Sequence, residues 1–91
     1  THHVSRFPMT QLWPEGVPIE VEAADGLPLA FRWQQRRHAV RTIVEQWVIR
    51  DEWWREELWR RYFQIETGDA LLCVLYHDLP AGDWRLERVY D

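Results

Sequence analysis

The 91-residue sequence predicts a small, mainly all-β domain, built as an antiparallel meander or a half-open barrel of about five to six strands. Two patterns predict this class. Apolar and polar residues alternate over short segments, and turn residues separate these segments about every ten residues. The chain also contains seven tryptophans. Because a domain of this size has little core, most of these large side chains are expected to be buried.

The N-terminal part of the chain differs from the rest. Pro8, Pro14 and Gly16 interrupt any regular period, so residues 1–17 are predicted to form an extended arm. Residues 18–91 are predicted to form a single small β-domain.

The β-domain begins with a predicted hairpin. Apolar and acidic residues alternate over residues 19–23, and Asp25-Gly26 is typical of a two-residue turn. Residues 29–33 alternate again and are predicted to form the returning strand.

The middle of the chain combines two patterns. Residues 38–49 are rich in β-branched and aromatic types and are apolar on both sides, which predicts a long strand that bends or bulges. Residues 51–58 are predicted to form one or two helical turns capped by Asp51, because bulky apolar residues follow an acidic start at near-helical spacing.

The remainder of the chain predicts a meander of three strands. The segment in the middle is the most apolar run of the chain, as expected of a central strand. Gly68-Asp69 and residues 78–82 supply the turns. The strands are predicted at residues 59–66, 70–77 and 84–90.

Charge is distributed unevenly along the chain. The formal net charge of −4 disfavours a general nucleic-acid binder, whose affinity requires an excess of positive charge. Acidic residues nevertheless surround a run of arginines, so cross-strand charge pairing on a solvated face competes with ligand binding as its explanation. This basic block consists of Arg32, Arg36, Arg37 and Arg41.

The side chains used in catalysis and metal binding are not arranged for either. Ser5, the sole serine, lies in the predicted arm, and the sole cysteine, Cys73, is predicted to be a buried core thiol. No two histidines have the spacing of a metal site, and the four glycines lie in separate turns rather than in a phosphate loop. The sequence therefore predicts no catalytic residue, no metal site and no cofactor.

Location and assembly follow from features of the whole sequence. We expect a cytoplasmic protein without a membrane partner, because the sequence shows no secretory signal and no run of about 18 apolar residues. A single cysteine also excludes an internal disulfide. The oligomeric state stays open, since an edge strand of such a sheet pairs readily with a copy of itself.

The composition favours binding through arginine and aromatic side chains. Both types are enriched at protein interfaces. The same side chains stack bases and neutralise phosphates in domains that bind single-stranded nucleic acid. The residues alone leave three alternatives open: a protein-interaction domain, a binder of single-stranded nucleic acid, and a stand-alone domain of unknown function.

Two segments carry a family resemblance, DEWWREELWRRYFQIET in the middle and VLYHDLPAGDWRLERVYD at the end. They resemble the small Trp-rich C-terminal domain of ImuB-type proteins, the catalytically inactive Y-family DNA polymerase subunits of bacterial mutasomes, and related stand-alone bacterial domains of unknown function. The resemblance covers residues 18–91. The residues that carry it are Trp53-Trp54, Arg61-Tyr62-Phe63, Tyr76, Asp78, Gly82, Trp84 and Val89-Tyr90-Asp91.

The resemblance implies a non-enzymatic domain with a protein partner. That partner would be a DNA polymerase or another mutasome subunit, in the SOS response and in translesion synthesis. Single-stranded DNA is the alternative ligand, and the basic block is then predicted to bind it. The residues predicted for a protein interface are Trp53, Trp54, Tyr62 and Trp84.

Overall fold

The computed structural model describes residues 10–53 and 56–90. In them, the segments of alternating apolar and polar residues form six antiparallel strands. The strands are β1 (Gln11–Ala24), β2 (Leu27–Trp33), β3 (Arg36–Trp53), β4 (Glu56–Thr67), β5 (Leu72–Asp78) and β6 (Asp83–Tyr90). They form a closed barrel in chain order, with β6 pairing back to β1. The predicted all-β class is confirmed, and no membrane-crossing helix is found in the described residues.

Two-residue turns join the first three strands. Asp25 and Gly26 connect β1 to β2 with φ angles of 54° and 77°, and Gln34 and Gln35 connect β2 to β3 with φ angles of 53° and 64°. Positive φ at both central residues gives a hairpin turn whose twist matches that of its strands. The predicted first hairpin and its Asp25-Gly26 turn are therefore confirmed.

β3 is much longer than β2, with 18 residues against seven. It pairs with β2 only through its first four residues and continues along β4 to its end. Two register shifts, before Thr42 and before Glu45, mark bulges, as predicted for this segment. Past β2, β3 pairs in the described residues only with β4, first along residues 60–66, which also pair with β5. Residues 50–53 and 56–59 then extend beyond the β5 ladder as the tip of the β3–β4 hairpin, consistent with a long molecular axis of 48 Å against 29 and 23 Å.

The predicted helical segment at residues 51–58 is wrong. β3 extends to Trp53 and β4 starts at Glu56, and Asp51 lies opposite Leu58 in the ladder. Pairing between two strands that are close in sequence overrides the near-helical spacing of the apolar residues. Asp51 is therefore a strand residue and not a helix cap, while residues 54 and 55 lie outside the described part.

The predicted arm at residues 1–17 also requires correction. Residues 1–9 lie outside the described part, but Gln11 begins β1 and pairs with β6. A wide bulge in β1 contains Pro14 and Gly16. A bulge leaves residues outside the ladder, so the missing N–H of proline removes no ladder bond there.

This bulge of β1 lies against the outside of the barrel. The Tyr76 hydroxyl donates a hydrogen bond of 2.8 Å to the carbonyl oxygen of Glu15, and Arg85 donates one of 3.3 Å to the same oxygen. A Cβ atom on Gly16 would lie 2.7 Å from both the Tyr76 hydroxyl oxygen and the Cβ of Arg85. Only glycine allows so close an approach of the backbone to the sheet.

Successive residues along β4 serve two apolar layers, because side chains alternate across a sheet. Phe63 belongs to the layer inside the barrel and Tyr62 to a smaller layer outside it. The buried residues of the inner layer are Phe31, Phe63, Ile65, Cys73, Leu75, Leu86 and Val89. The outer layer consists of Tyr62, Val74 and Tyr76, with Tyr90 packed against them.

Cys73 is fully buried in the inner layer. Burial raises the pKa of its thiol to about 12, and the charge of Asp69 adds to this effect. The thiol is therefore protonated and unreactive at neutral pH, so the predicted buried core thiol is confirmed.

The Gly16 contact predicts a difference between two glycines with the same backbone conformation. Gly16→Ala and Gly82→Ala both place a side chain at positive φ, which costs about 1–2 kcal/mol. Gly82 has no atom within 4 Å of an added Cβ, whereas Gly16 meets Tyr76 and Arg85. We expect Gly16→Ala to lower the free energy of unfolding in urea by a further 1–3 kcal/mol, roughly the cost of overpacking. Equal losses in the two variants would contradict the close approach of β1 to Tyr76.

Candidate interaction surface

Exposed apolar side chains are concentrated on the β3–β4 hairpin. Five of the seven exposed large hydrophobic residues among the described ones lie on it, with exposed fractions between 36% and 56%. Exposed apolar residues grouped in this way indicate a binding surface, whereas single ones do not. This hairpin surface consists of Val44, Trp47, Val48, Ile49 and Trp59.

Both faces of the hairpin contribute to this surface. Trp47 lies opposite Tyr62 of the outer layer, so Trp47 and Ile49 face the outside of the barrel wall. Val48 and Trp59 face the other side, where the hairpin continues the inner wall of the barrel. Beside Trp47, Val48 and Ile49, β4 also pairs with β5, so these residues lie on the edge strand of a sheet of at least three strands.

An aromatic ladder anchors the outward face to the barrel. The Trp47 and Tyr62 rings stack with centroids 5.3 Å apart and planes at 5°, and Tyr62 contacts Tyr76 at 5.0 Å. Burial raises the pKa of the Tyr76 hydroxyl, which stays protonated and donates to Glu15. Trp47 is thus the exposed end of a series of rings whose other members are buried, and such pre-organised aromatics are typical hot spots.

The opposite face carries a second aromatic contact. The Arg50 guanidinium lies 4.5 Å from the centre of the Trp59 ring, a cation–π geometry. Arg50 also donates a hydrogen bond of 3.4 Å to Glu57, the residue two positions before Trp59 on β4. These contacts hold the Trp59 ring across the two strands of the hairpin.

The four residues predicted for a protein interface have different positions. The side chain of Trp53 and all of Trp54 lie outside the described part. Tyr62 is only 5% exposed, so it supports Trp47 and offers no surface of its own. Trp84 is half-buried and stacks on His77 at 4.4 Å, on the barrel rather than on the hairpin.

Sequence reasoning missed Trp47, although a signal was present. Trp47 and Ile49 are two residues apart in the long β3 segment, which is apolar on both sides. In this barrel β4 carries apolar layers on both faces, so two-sided apolarity in β3, its neighbour, indicates apolar side chains on both sides of the wall. The spacing of the residues that follow suggested a helix instead and concealed the length of the hairpin.

The basic block lies at the start of β3 and on β2, and acids neutralise most of it. Arg37 donates two hydrogen bonds to Glu22, at 2.6 and 3.0 Å, and this contact lowers the pKa of the Glu22 carboxyl. The other pairs are Arg41 with Glu66 at 2.6 Å and Arg36 with Asp69 at 3.7 Å, while Arg32 lies exposed on β2. Three of the four arginines of the block therefore form exposed ion pairs, two with strand residues and one with Asp69 in the β4–β5 turn.

A polar cluster lies at the β4–β5 turn. His38 is buried, stacks on Phe31 with centroids 5.3 Å apart, and places Nδ1 3.3 Å from a carboxylate oxygen of Asp69. The buried Thr67 hydroxyl donates to Asp69 and accepts a 2.9 Å hydrogen bond from the backbone N–H of Leu71. In the described residues, no group of three or more His, Cys, Asp or Glu side chains is arranged to hold a metal ion.

A protein-family comparison matches residues 14–91 of this chain. The chain belongs to the family described as a domain of unknown function, DUF6504. No curated protein and no solved structure matches it. The DUF6504 match includes the whole β3–β4 hairpin and begins within the β1 bulge, so the aromatic ladder lies entirely within the family's region.

The cluster at the β4–β5 turn predicts a pH effect on stability. The hydrogen bond from Thr67, with that from His38, holds the pKa of Asp69 below its ordinary value of 3.8. Ionised Asp69 therefore stabilises the fold above that pH, and the contribution is lost as the pH falls through the lowered pKa. Asp69→Asn should lower the urea midpoint at neutral pH, and the difference from wild type should shrink on acidification. A difference that stays constant with pH would contradict this assignment, and Glu87→Gln serves as a control on β6.

The aromatic ladder predicts unequal costs for its two ends. Tyr62→Ala removes a buried ring and should lower the free energy of unfolding by about 3–5 kcal/mol. Trp47→Ala should cost less, because the side chain is 36% exposed; it loses the aromatic pair, worth about 0.5–1.5 kcal/mol, and the part of its surface that is buried. Urea denaturation followed by far-UV circular dichroism measures both. A Trp47 variant as unstable as the Tyr62 variant would mean that Trp47 is a core residue and not a surface anchor.

Proposed function

We propose that this domain is a non-enzymatic protein-interaction module of the bacterial cytoplasm that binds a polypeptide partner through the hairpin surface. The resemblance to ImuB-type subunits makes a DNA polymerase or another mutasome subunit the partner to test, in DNA damage tolerance and translesion synthesis. The observation that carries the proposal is Trp47, an exposed aromatic residue on the open edge strand β3 that is held by buried Tyr62 and Tyr76.

The energetics of interfaces support this choice. Interface hot spots are enriched in tryptophan, tyrosine and arginine and are surrounded by apolar contacts that exclude water. On the hairpin, Ile49 lies two residues after Trp47 on the same face and is exposed. A ring that is already held in place loses little conformational entropy on binding, so more of its burial appears as affinity.

The ion pairs of the basic block favour a protein partner over single-stranded DNA. Arg36, Arg37 and Arg41 each contact a carboxylate, so phosphate binding would have to replace existing partners. The block also lies on the exposed side of the sheet and not with the tryptophans of the hairpin. Domains that bind single strands combine cationic and aromatic side chains in one groove.

The non-enzymatic part of the proposal rests on the reactive side chains of the described residues. Cys73 is buried and its thiol pKa is raised to about 12. His38 is buried against Phe31 and faces Asp69, and the Thr67 hydroxyl donates to Asp69 rather than to the histidine. An activated nucleophile requires a hydrogen bond from the nucleophile to its base, and this arrangement supplies none.

Binding of the purified chain to candidate mutasome subunits tests the proposal. The double variant Trp47→Ala/Val48→Ser should raise the dissociation constant about 30-fold or more in titration calorimetry, because it removes a hot spot. Leu29→Ser is the matched control, since Leu29 is 53% exposed on β2 and lies outside the hairpin. Equal effects of the two changes would contradict the hairpin surface as the binding site.

A parallel fluorescence titration with a short single-stranded oligonucleotide separates the alternatives. We expect no saturable quenching at low or physiological salt. Quenching that weakens steeply with salt and is reduced in Arg37→Gln/Arg41→Gln would instead assign the function to the basic block.

A further inference from the structure

β3 has an open backbone edge along the hairpin. In the described residues, its side facing away from β4 has no strand partner after Ala39. From Glu45 to Asp51 the strand pairs with β4 without a bulge and contains no proline, so it lacks two features that usually protect edges. At about 3.4 Å per residue, this segment exposes about 20 Å of backbone donors and acceptors.

The outward side chains of this edge have a regular charge pattern. Glu45, Trp47, Ile49 and Asp51 occupy every second position and are all exposed. Neither carboxylate forms an ion pair or a side-chain hydrogen bond within the described residues. The order acid, apolar, apolar, acid is complementary to a strand that presents base, apolar, apolar, base, because opposite residues of paired strands lie on the same face.

The same pattern disfavours a second copy of this chain. Antiparallel pairing of two β3 edges that sets Trp47 against Ile49 also sets Glu45 against Asp51, twice. Like charges that lie directly opposite each other destabilise a strand pair. A partner with basic residues at those positions removes the repulsion and gains attraction, so the two carboxylates select against self-pairing as well as for a basic partner.

We propose that β3 binds its partner by strand addition: an extended segment with two apolar residues flanked by basic residues, at alternating positions, pairs with the Glu45–Asp51 edge. This mode rests on the proposed function and specifies the chemistry of the partner. Main-chain hydrogen bonds provide affinity, and alternate side chains provide specificity, as in other cases of β-augmentation. Trp47 and Ile49 contact the apolar residues, while Glu45 and Asp51 pair with the basic ones.

A synthetic peptide tests the proposal with the full chain. The probe is acetylated and amidated, with Arg, Val, Val and Arg at alternate positions and Thr between them. Two control peptides replace either both Arg by Glu or the central Thr by Pro, which removes a backbone donor. We expect saturable quenching of tryptophan fluorescence by the first peptide only. Absence of binding, or equal binding of all three, would overturn strand addition.

Variants of the chain locate the binding site. Glu45→Gln and Asp51→Asn should each weaken peptide binding about 1.4- to 5-fold, the value of one cross-strand charge pair. Glu20→Gln and Glu87→Gln are the single-variant controls, because each changes the net charge by the same amount, on β1 and on β6. Hydrogen exchange should slow at backbone amides of residues 45–51 when the peptide binds. Slowing elsewhere, or equal weakening by the control variants, would overturn the assignment to β3.

Other occupants of the edge give distinct results. Self-pairing would appear as a dimer in sedimentation analysis that Glu45→Gln/Asp51→Asn strengthens. Occupation by residues 1–9 would appear as amides of residues 45–51 that are already protected and lose protection on deletion of those residues. If the Trp47→Ala/Val48→Ser variant loses the protein partner while Glu45→Gln/Asp51→Asn changes neither partner nor peptide binding, strand addition fails and the proposed function stands.

Discussion

The mismatch in length between β3 and β2 is the constraint on which the rest of the structure depends. A strand is paired only as far as its neighbour extends, and β2 ends its pairing with β3 after four residues of an 18-residue strand. The surplus of β3 can pair only with β4, which follows it in the chain. Residues 42–49 lie along the part of β4 that also pairs with β5, and residues 50–53 and 56–59 extend past this ladder as a hairpin tip. The open edge and the two exposed apolar faces both follow from this one difference in length.

The outer aromatic layer supports the open edge strand β3 where β4 also pairs with β5. Tyr62 and Tyr76 are buried although they lie outside the barrel, because the β1 bulge covers Tyr76 and Trp47 covers Tyr62. The absence of a side chain at Gly16 allows the bulge to approach. Closure of the barrel by β1 and rigidity of the hairpin at β3 are therefore linked through one layer of rings that crosses β4 and β5.

The fold class, the turns and most strand positions are predictable from the sequence, because Asp25-Gly26 and the alternating segments act over a few residues. The two errors concern pairings that local rules cannot show. Pro14 and Gly16 argue against a strand until the bulge opposite β6 is known, and the segment after Asp51 has helical spacing until its ladder with β4 is known. The same limit applies to Trp47. Its exposure depends on how far β2 pairs along β3, and this pairing stops at Ala39, which local rules cannot show.

The charged residues of this molecule differ in whether they already have an ion-pair partner, and this difference affects how readily they bind a ligand. The arginines that are most conspicuous in the sequence are neutralised by Glu22, Glu66 and Asp69, which lie on other strands or in a turn. Such pairs are screened, and they stabilise little because both partners are exposed. Two carboxylates on the hairpin, at residues 45 and 51, lack such partners within the described residues, and they flank the best-anchored exposed ring. A carboxylate without an ion-pair partner beside an exposed apolar ring can attract a basic ligand residue while the ring buries an apolar one. An arginine that is already ion-paired must first give up its carboxylate partner. The chemistry of the surface therefore favours the acidic, apolar edge over the basic block as the binding site of the proposed partner.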